Sequence, residues 1–227
     1  MISFIFSRTC LIVAVCALLG CTQPVDKNDL AQIHTIGVAS SCGQQFTRES
    51  LGLIIFSNEV TTGDIADWGL DDEIVARVKA SLGSRFTVRK ANFDVAKLAA
   101  DPGMLTLPQT RDKDALHRQD DIDAYLVFAP LTMGQGWDVM TGVGLHSRGR
   151  GETLHVICTA RLLDRTGDRV LGYNLIKGLR PPGPGMRLDR WSDYSPAQKH
   201  QLRWVARDVI GSAVPTALQD MNLRPGS

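Results

Sequence analysis

Residues 153–163 have the sequence TLHVICTARLL, in which apolar side chains recur at every second position from Leu154 to Leu162. A period of two places such side chains on one face of a β-strand. The next segment, 164–168 (DRTGD), is rich in turn-forming residues, and a second strand-like run follows over 169–176. The two runs and the turn predict a β-hairpin.

Two amphipathic helices are predicted to cover this hairpin. Apolar residues recur every four positions over 70–82 and form one stripe, and Gly83 supplies a stop. Carboxylates in the first turn of this helix favour the positive end of its dipole. The second helix begins at Ser195, a capping residue followed by proline. Its apolar stripe consists of Leu202, Val205, Val209 and Ala213.

Further strands complete a mixed sheet. They are predicted over 33–40, 51–56, 86–93, 124–129 and 139–146. The first two are expected to form a hairpin with each other, and short helical segments are expected over 95–100 and 113–119. This order predicts an α/β (α+β) domain in which helices pack on a mixed β-sheet.

The amino terminus predicts export. Arg8 precedes an apolar core over 11–20, which has secretory-signal length and is short for a membrane span. The core ends in Leu18-Leu19-Gly20-Cys21, which resembles the lipobox of bacterial lipoproteins. The resemblance implies cleavage before Cys21, a diacylglycerol on its sulfur and a lipid anchor in the membrane. Export by a signal peptide without lipidation is the alternative.

The lipobox divides the chain into three parts. Residues 1–20 are predicted to be a cleaved lipoprotein signal, 21–31 a flexible tether, and 32–227 a single periplasmic α/β domain. Thr22 follows the predicted lipidated residue, and in enteric bacteria this pattern directs lipoproteins to the outer membrane. The expected location is therefore the periplasmic face of the outer membrane.

Four segments of the domain carry a family resemblance. They are Ile36-Gly37-Val38, GSRFTV over 83–88, IDAYLV over 122–127 and LDRTGDRV over 163–170. The chain resembles the periplasmic α/β domains of the CsgG-like, LpoB-like and TolB amino-terminal-like group. The resemblance concerns the fold and implies no active site.

The charge of the mature chain is balanced. Of 25 Lys and Arg residues only Arg8 lies in the signal, which leaves 24 cations against 24 carboxylates. A neutral protein has no general electrostatic attraction to nucleic acid or to an anionic membrane face. We therefore expect no nucleic-acid partner, and we expect membrane attachment through lipid.

Two cysteines remain beyond the lipobox, Cys42 and Cys158. They could form a disulfide in an oxidising periplasm. Cys158, however, lies in the apolar row of the strand predicted over 153–163, where a buried free thiol behaves as a small hydrophobe. Both interpretations stay open at this point.

No motif for a catalytic or metal site is present, and no cofactor is predicted. The acidic cluster Asp64, Asp67 and 71–73 could bind Ca²⁺, but helix capping explains it equally well and its spacing is not that of an EF-hand. His146 and His155 could share one face of a hairpin and form half of a zinc site. We expect them instead to be surface histidines. An unrecognised hydrolase, assembled from distant residues, remains an alternative.

The leading functional hypothesis is a non-enzymatic, lipid-anchored adaptor or binding protein with an envelope protein as its partner. Its contacts are expected in two irregular segments, 133–151 and 179–196, which hold Trp137, Arg148, Arg150, Arg190, Trp191 and Tyr194. Trp204 is expected to pack against the loop of Trp191, and a half-exposed position as an interface anchor is the alternative. A subunit of an oligomeric outer-membrane secretion pore is the alternative, in which the hairpin over 133–163 would enter the membrane.

Overall fold

The computed structural model describes residues 22–50, 59–100, 108–135, 138–148 and 151–224. The strands in these ranges are β1 (Thr35–Ser40), β2 (Gln45–Ser50), β3 (Glu59–Asp64), β4 (Thr87–Lys90), β5 (Ala124–Pro130), β6 (Thr132–Gln135), β7 (Asp138–Arg148), β8 (Gly151–Asp164) and β9 (Val170–Arg180). The α-helices are α1 (Lys27–Ala31), α2 (Leu70–Leu82), α3 (Val95–Ala99), α4 (Pro108–Ala115) and α5 (Pro196–Asp220).

Strand β8 organises the sheet because one of its edges carries two partners in succession. β9 pairs antiparallel with β8 between Leu154 and Leu163 along the first edge. Along the second edge, β7 pairs with β8 as far as Ile157, and β5 takes over from Cys158. The sheet therefore forks into two branches, β5–β1–β4 and β7–β2–β3.

The fork coincides with a backbone irregularity in β7. β6 continues the course of β5 and pairs with the start of β7. Gly142 then has a φ of 57°, in the left-handed region that favours glycine. Its amide donates to the carbonyl of Leu131 at 3.2 Å, and the amide of Leu131 donates to the carbonyl of Ile157 at 3.1 Å. Three chain segments thus meet where the branches separate.

Helices cover both faces of the sheet. α2 and α5 pack against each other and bury Ile74 and Val209 with strand residues such as Val156. α3 and α4 cover the opposite face of the β5 branch, in a second apolar cluster that includes Leu98 and Tyr125. No helix in the described part of the chain is both long and apolar enough to cross a membrane.

The predicted α/β domain with helices on a mixed sheet is confirmed. β8 and β9 form the predicted hairpin, and the alternating residues from Leu154 to Leu162 are buried on the side of α5. α2 spans the predicted residues. α5 begins at the predicted cap, where the Ser195 hydroxyl accepts a hydrogen bond from the amide of Gln198.

The predicted hairpin between 33–40 and 51–56 is wrong. β1 pairs on both edges with parallel strands, β4 and β5, and has no edge left for a hairpin partner. The strand that follows is β2 (QFTRES), and residues 51–56 lie outside the described residues. β2 escaped prediction because its buried positions include Arg48 and Glu49, so it shows no apolar period.

The segment predicted to be a flexible tether is packed on the domain from Thr22 onward. Gln23 and Tyr173 exchange two backbone hydrogen bonds of 2.8 and 2.9 Å. Val25 and Leu30 are buried in the core. Two buried apolar side chains and a β-bridge fix a segment whose polar composition alone suggested mobility.

We expect Ile74→Asp to lower the free energy of unfolding by about 3 kcal/mol or more, because it buries an unpaired carboxylate between α2 and the sheet. Val209→Asp, on α5, should have an effect of the same order. Ala76→Asp is the matched control, since Ala76 is exposed on α2. Urea unfolding followed by circular dichroism measures all three, and a mild effect at both buried sites would contradict this packing.

Candidate binding cleft

The fork of the sheet opens a cleft of about 680 Å³ between its two branches. Its walls include the turn after β1, the first residues of β2 and the end of β3. α3 forms the facing side. Pro130, Thr141 and Gly142, from the point where the strands separate, also line it. The complete described lining is Ser41, Cys42, Gln44, Gln45, Thr47, Thr62, Gly63, Asp64, Val95, Ala96, Ala99, Ala100, Pro130, Thr141 and Gly142.

The cleft has one hydrogen-bonding side and one apolar side. Hydroxyl and amide groups come from the β-strands and the turn after β1, whereas α3 contributes valine and alanine side chains. The single carboxylate in the described lining is Asp64, which already accepts a hydrogen bond of 2.8 Å from the amide of Ala66. No Lys or Arg side chain occurs in the described lining. The surface therefore suits an uncharged ligand that has both polar and apolar groups.

Ser41 lies in the turn after β1, in the wall of the cleft. Its amide donates to the carbonyl of Phe128 at 3.0 Å, which fixes the residue to β5. Its hydroxyl is buried, and among the described residues it has no hydrogen-bond partner. A buried hydroxyl without a partner lowers stability.

Asp71 holds the turn after β1 in place. One carboxylate oxygen accepts from the Ser40 hydroxyl at 2.6 Å and the Gly43 amide at 3.0 Å, and the other from the Gln44 side chain at 2.7 Å. Burial raises the pKa of Asp71, and these hydrogen bonds lower it in part. Asp71 is thus a structural clamp for one wall of the cleft.

Two other members of the acidic cluster have partners of their own. Asp72 pairs with Lys90 at 2.8 Å, and Glu73 pairs with Arg77 at 2.7 Å on α2. Among the residues that the structure describes, no three His, Cys, Asp or Glu side chains gather into a group that could hold a metal ion.

His146 and His155 lie on one face of β7 and β8, in diagonal positions, because Gly144 pairs with His155 and His146 with Thr153. The prediction that they are surface residues is wrong, since His155 is 0% exposed and His146 is also buried. Gly144 makes this burial possible: a Cβ atom there would lie 2.8 Å from the His155 ring and 2.2 Å from the carbonyl oxygen of Thr47.

Burial controls the protonation of His155. Desolvation lowers its pKa from 6.5 to about 4, and the nearby His146 contributes in the same direction. One ring nitrogen lies 3.3 Å from the carbonyl oxygen of Thr141, which opposes the shift, and Nδ1 has no hydrogen-bond partner among the described residues. His146 Nδ1 lies 3.4 Å from a Glu49 carboxylate oxygen. His155 is therefore neutral at pH 7.

Cys42 and Cys158 are buried free thiols. Burial raises the pKa of the Cys42 thiol well above its ordinary value, and a hydrogen bond with Cys158 raises it further. The two sulfurs are thus neighbours in the core, and Cys42 also belongs to the lining of the cleft. The sequence allowed a disulfide or free thiols, and the structure contains the free thiols.

Two buried ion pairs brace the sheet. Arg48 is 1% exposed, and it lies 3.4 Å from a Glu152 carboxylate oxygen and donates to the carbonyl of Leu188 at 2.6 Å. On the opposite face, Arg161 of β8 makes two hydrogen bonds to Asp112 of α4, one of them 2.9 Å long. Sequence patterns did not identify either pair, because each joins residues about 50 to 100 positions apart.

The predicted partner residues do not form one surface. Trp191 is half-buried in an aromatic cluster with Phe46, Trp68 and Tyr194, and Lys199 lies 4.5 Å from the centre of its ring. Tyr194 is 3% exposed, and its hydroxyl donates to the carbonyl of Met186 at 2.9 Å, so its prediction as a partner contact is wrong.

The remaining predicted partner residues are dispersed. Arg190 is exposed, whereas Trp137 and Arg150 lie outside the described residues, as does the side chain of Arg148. Trp204 is 66% exposed on the outer side of α5. The expected packing of Trp204 against the loop of Trp191 is therefore wrong.

The sequence patterns did not predict the cleft, because its lining comes from five separate chain segments.

No protein-family model matches this chain, and no curated protein is similar to it. A solved DUF330 protein from Xanthomonas campestris aligns with 84% of this chain and 88% of its own, at 12% identity and a TM-score of 0.39. A chain of the PelC dodecamer from Paraburkholderia phytofirmans aligns with 91% of this chain and 97% of its own, at 14% identity and a TM-score of 0.34. Lipoprotein GNA1162 from Neisseria meningitidis aligns with 79% of this chain and 99% of its own, at 12% identity and a TM-score of 0.32. Likeness at this level carries no argument about function.

We expect His155 to make stability depend on pH. The unfolded chain protonates this histidine as the pH falls below about 6.5, whereas the folded protein keeps it neutral until about pH 4. Its contribution is complete above pH 6.5 and is lost progressively as the pH falls towards 4, by about 3 kcal/mol, since one pKa unit corresponds to about 1.4 kcal/mol.

Urea unfolding of the wild type and of His155→Gln at pH 7 and pH 4.5 measures this effect. The variant should lose less stability on acidification than the wild type does. His200→Gln, which alters an exposed histidine on α5, should retain the pH dependence of the wild type. An identical acid loss in the wild type and in His155→Gln would contradict the assignment.

Proposed function

We propose that this protein is a lipid-anchored, non-enzymatic binding protein of the bacterial cell envelope, on the periplasmic face of the outer membrane. Its cleft binds an uncharged peptide segment of an envelope partner. The observation that carries the binding part of the proposal is the cleft at the fork of the sheet. The sequence Leu18-Leu19-Gly20-Cys21 supports the anchor.

The chemistry of the cleft supports a peptide ligand. A peptide carries amide donors and acceptors every few ångströms, and these complement the hydroxyl and amide groups on the strand side. Apolar side chains of such a segment would pack on Val95, Ala96 and Ala99. An uncharged segment is favoured because the described lining offers no cation to an anionic ligand and offers only Asp64, already hydrogen-bonded, to a cationic one.

The titratable groups around the cleft support a binding role over a hydrolytic one. Asp71 is occupied as a clamp, and the Cys42 thiol has a raised pKa, which disfavours the nucleophilic thiolate. His155 is held neutral, with one ring nitrogen near a backbone carbonyl. We therefore assign structural roles to Asp71, Cys42 and His155.

The secretion-pore alternative requires different surroundings for β7 and β8. In a pore these strands would line a membrane barrel, whereas here Val143, Leu145, Leu154 and Val156 are buried against the helices of the domain. We therefore favour the binding protein. Molecular mass in mild detergent separates the two, because a pore subunit must form a large ring.

We expect Cys21→Ser to abolish incorporation of a fatty-acid analogue and to release the protein from membranes or leave it unprocessed. Cys16→Ser is the matched control, because Cys16 lies inside the signal and should leave labelling intact. Metabolic labelling followed by membrane fractionation measures both. Absence of label on the wild type would refute the anchor.

We expect Ala99→Trp to abolish partner capture at the cleft, because the indole fills the space between α3 and the strands. A photo-crosslinking amino acid at Gln45, which also lines the cleft, reports capture in intact cells. Ala76→Trp places the same side chain on the exposed surface of α2 and should leave the crosslink unchanged. A crosslink that survives Ala99→Trp would refute binding in the cleft.

A further inference from the structure

The basic residues of the chain are unevenly distributed, although its total charge is nearly balanced. Residues 196–207, the first half of α5, contain Lys199, His200, Arg203 and Arg207 and no carboxylate. The first turn of α5 also lacks the acidic residues that the positive end of a helix dipole favours. Local helix stability therefore does not explain this composition.

Three of these cations form one row on the helix. Lys199, Arg203 and Arg207 are spaced four residues apart, and like charges at this spacing repel each other on a helix surface. Arg207 donates to the carbonyl of Trp68 at 3.2 Å, and Lys199 lies 4.5 Å from the centre of the Trp191 ring. These contacts orient the two side chains, but neither of them supplies a negative charge. The row therefore presents net positive charge.

Trp204 lies beside this row, on the side of α5 that points away from the sheet. Its side chain is 66% exposed, whereas its neighbours Leu202 and Val205 are buried. Arg207 is three residues from Trp204 and His200 is four, so both lie next to the indole on the helix surface. An exposed indole forgoes the hydrophobic free energy that burial would provide. This face of α5 thus combines an exposed aromatic ring with a row of cations.

The first carboxylate along α5 is Asp208, one turn beyond the indole. It lies 3.8 Å from the guanidinium of Arg180 on β9, so a cation of the sheet compensates its charge. The loop over 182–185 is uncharged and lies beside the same half of α5, where the Gln201 side chain donates to the carbonyl of Pro182 at 2.9 Å. Along this half of α5, the positive charges are therefore not offset by an unpaired carboxylate of the helix.

We propose that the outer side of α5 around Trp204 binds the surface of an anionic phospholipid bilayer. The indole enters the headgroup region, where tryptophan is enriched because its ring is amphipathic. Headgroup phosphates compensate the row Lys199, Arg203 and Arg207, since lysine and arginine are attracted to anionic lipids. The proposal rests on the membrane attachment proposed above, which brings the domain close to lipid.

This contact leaves the cleft accessible. α5 covers one face of the sheet, whereas α3, which forms one side of the cleft, covers the opposite face. A bilayer against the outer side of α5 therefore lies on the other side of the sheet from α3. The domain can then contact lipid and hold a partner in the cleft at the same time.

Quenching of tryptophan fluorescence tests this contact in the full-length lipidated protein. The protein is reconstituted into phosphatidylethanolamine–phosphatidylglycerol vesicles whose acyl chains carry bromine close to the headgroups. The wild type should lose a larger share of its fluorescence than Trp204→Phe does, because Trp204 contacts the lipid. Replacement of phosphatidylglycerol by phosphatidylcholine should remove this difference. Equal quenching of the wild type and Trp204→Phe would overturn the proposal and would favour a protein partner at this face.

A charge reversal tests the role of the cations. Arg203→Glu should abolish most of the quenching at Trp204, because it places a carboxylate in the middle of the row. Lys97→Glu is the matched control, since it makes the same change in net charge at an exposed position on α3 and should leave the quenching unchanged. Quenching that persists in Arg203→Glu would overturn the assignment to anionic lipid.

Mass spectrometry of the amino terminus keeps the two proposals separate. A wild-type protein without acyl chains would refute the anchor. An acylated protein that floats with the vesicles, but whose Trp204 fluorescence is not quenched, would refute the contact through α5 and leave the anchor standing.

Discussion

A β-strand has two hydrogen-bonding edges, and β8 pairs along one of its edges with two different strands, β7 and β5. The exchange at Ile157 and Cys158 forces the strands beyond it to diverge, because β7 and β5 cannot both lie alongside the same residues. Gly142 supplies the backbone conformation that lets β7 leave β6 and join β8 at this point. The cleft between the branches is a direct consequence, so the candidate site depends on this one pairing constraint.

The forked sheet is held by polar groups as well as by its apolar core. Arg48 of β2 reaches Glu152 of β8 across the intervening β7, and Arg161 connects β8 to Asp112 of α4. Removing one partner of such a buried pair leaves an uncompensated charge and is strongly destabilising. These pairs therefore tie each branch, or the helix covering it, to the strand from which both branches originate.

The amino-terminal segment packs on the outer edge of this sheet. Its bridge lies on β9, at the undivided side of the sheet, and the cleft opens at the divided side.

The sequence by itself determined the elements whose patterns are local: the β8–β9 hairpin from its period of two, and α2 and α5 from their apolar stripes and caps. It also supplied the resemblance to a lipobox at Cys21, because that pattern is a short contiguous motif. Only the tertiary structure decided the parallel neighbours of β1, the charged strand β2, the burial of His155 beside Gly144, and the cleft. These features depend on contacts between distant segments, and strand pairing and buried ion pairs leave no periodic trace in a single sequence.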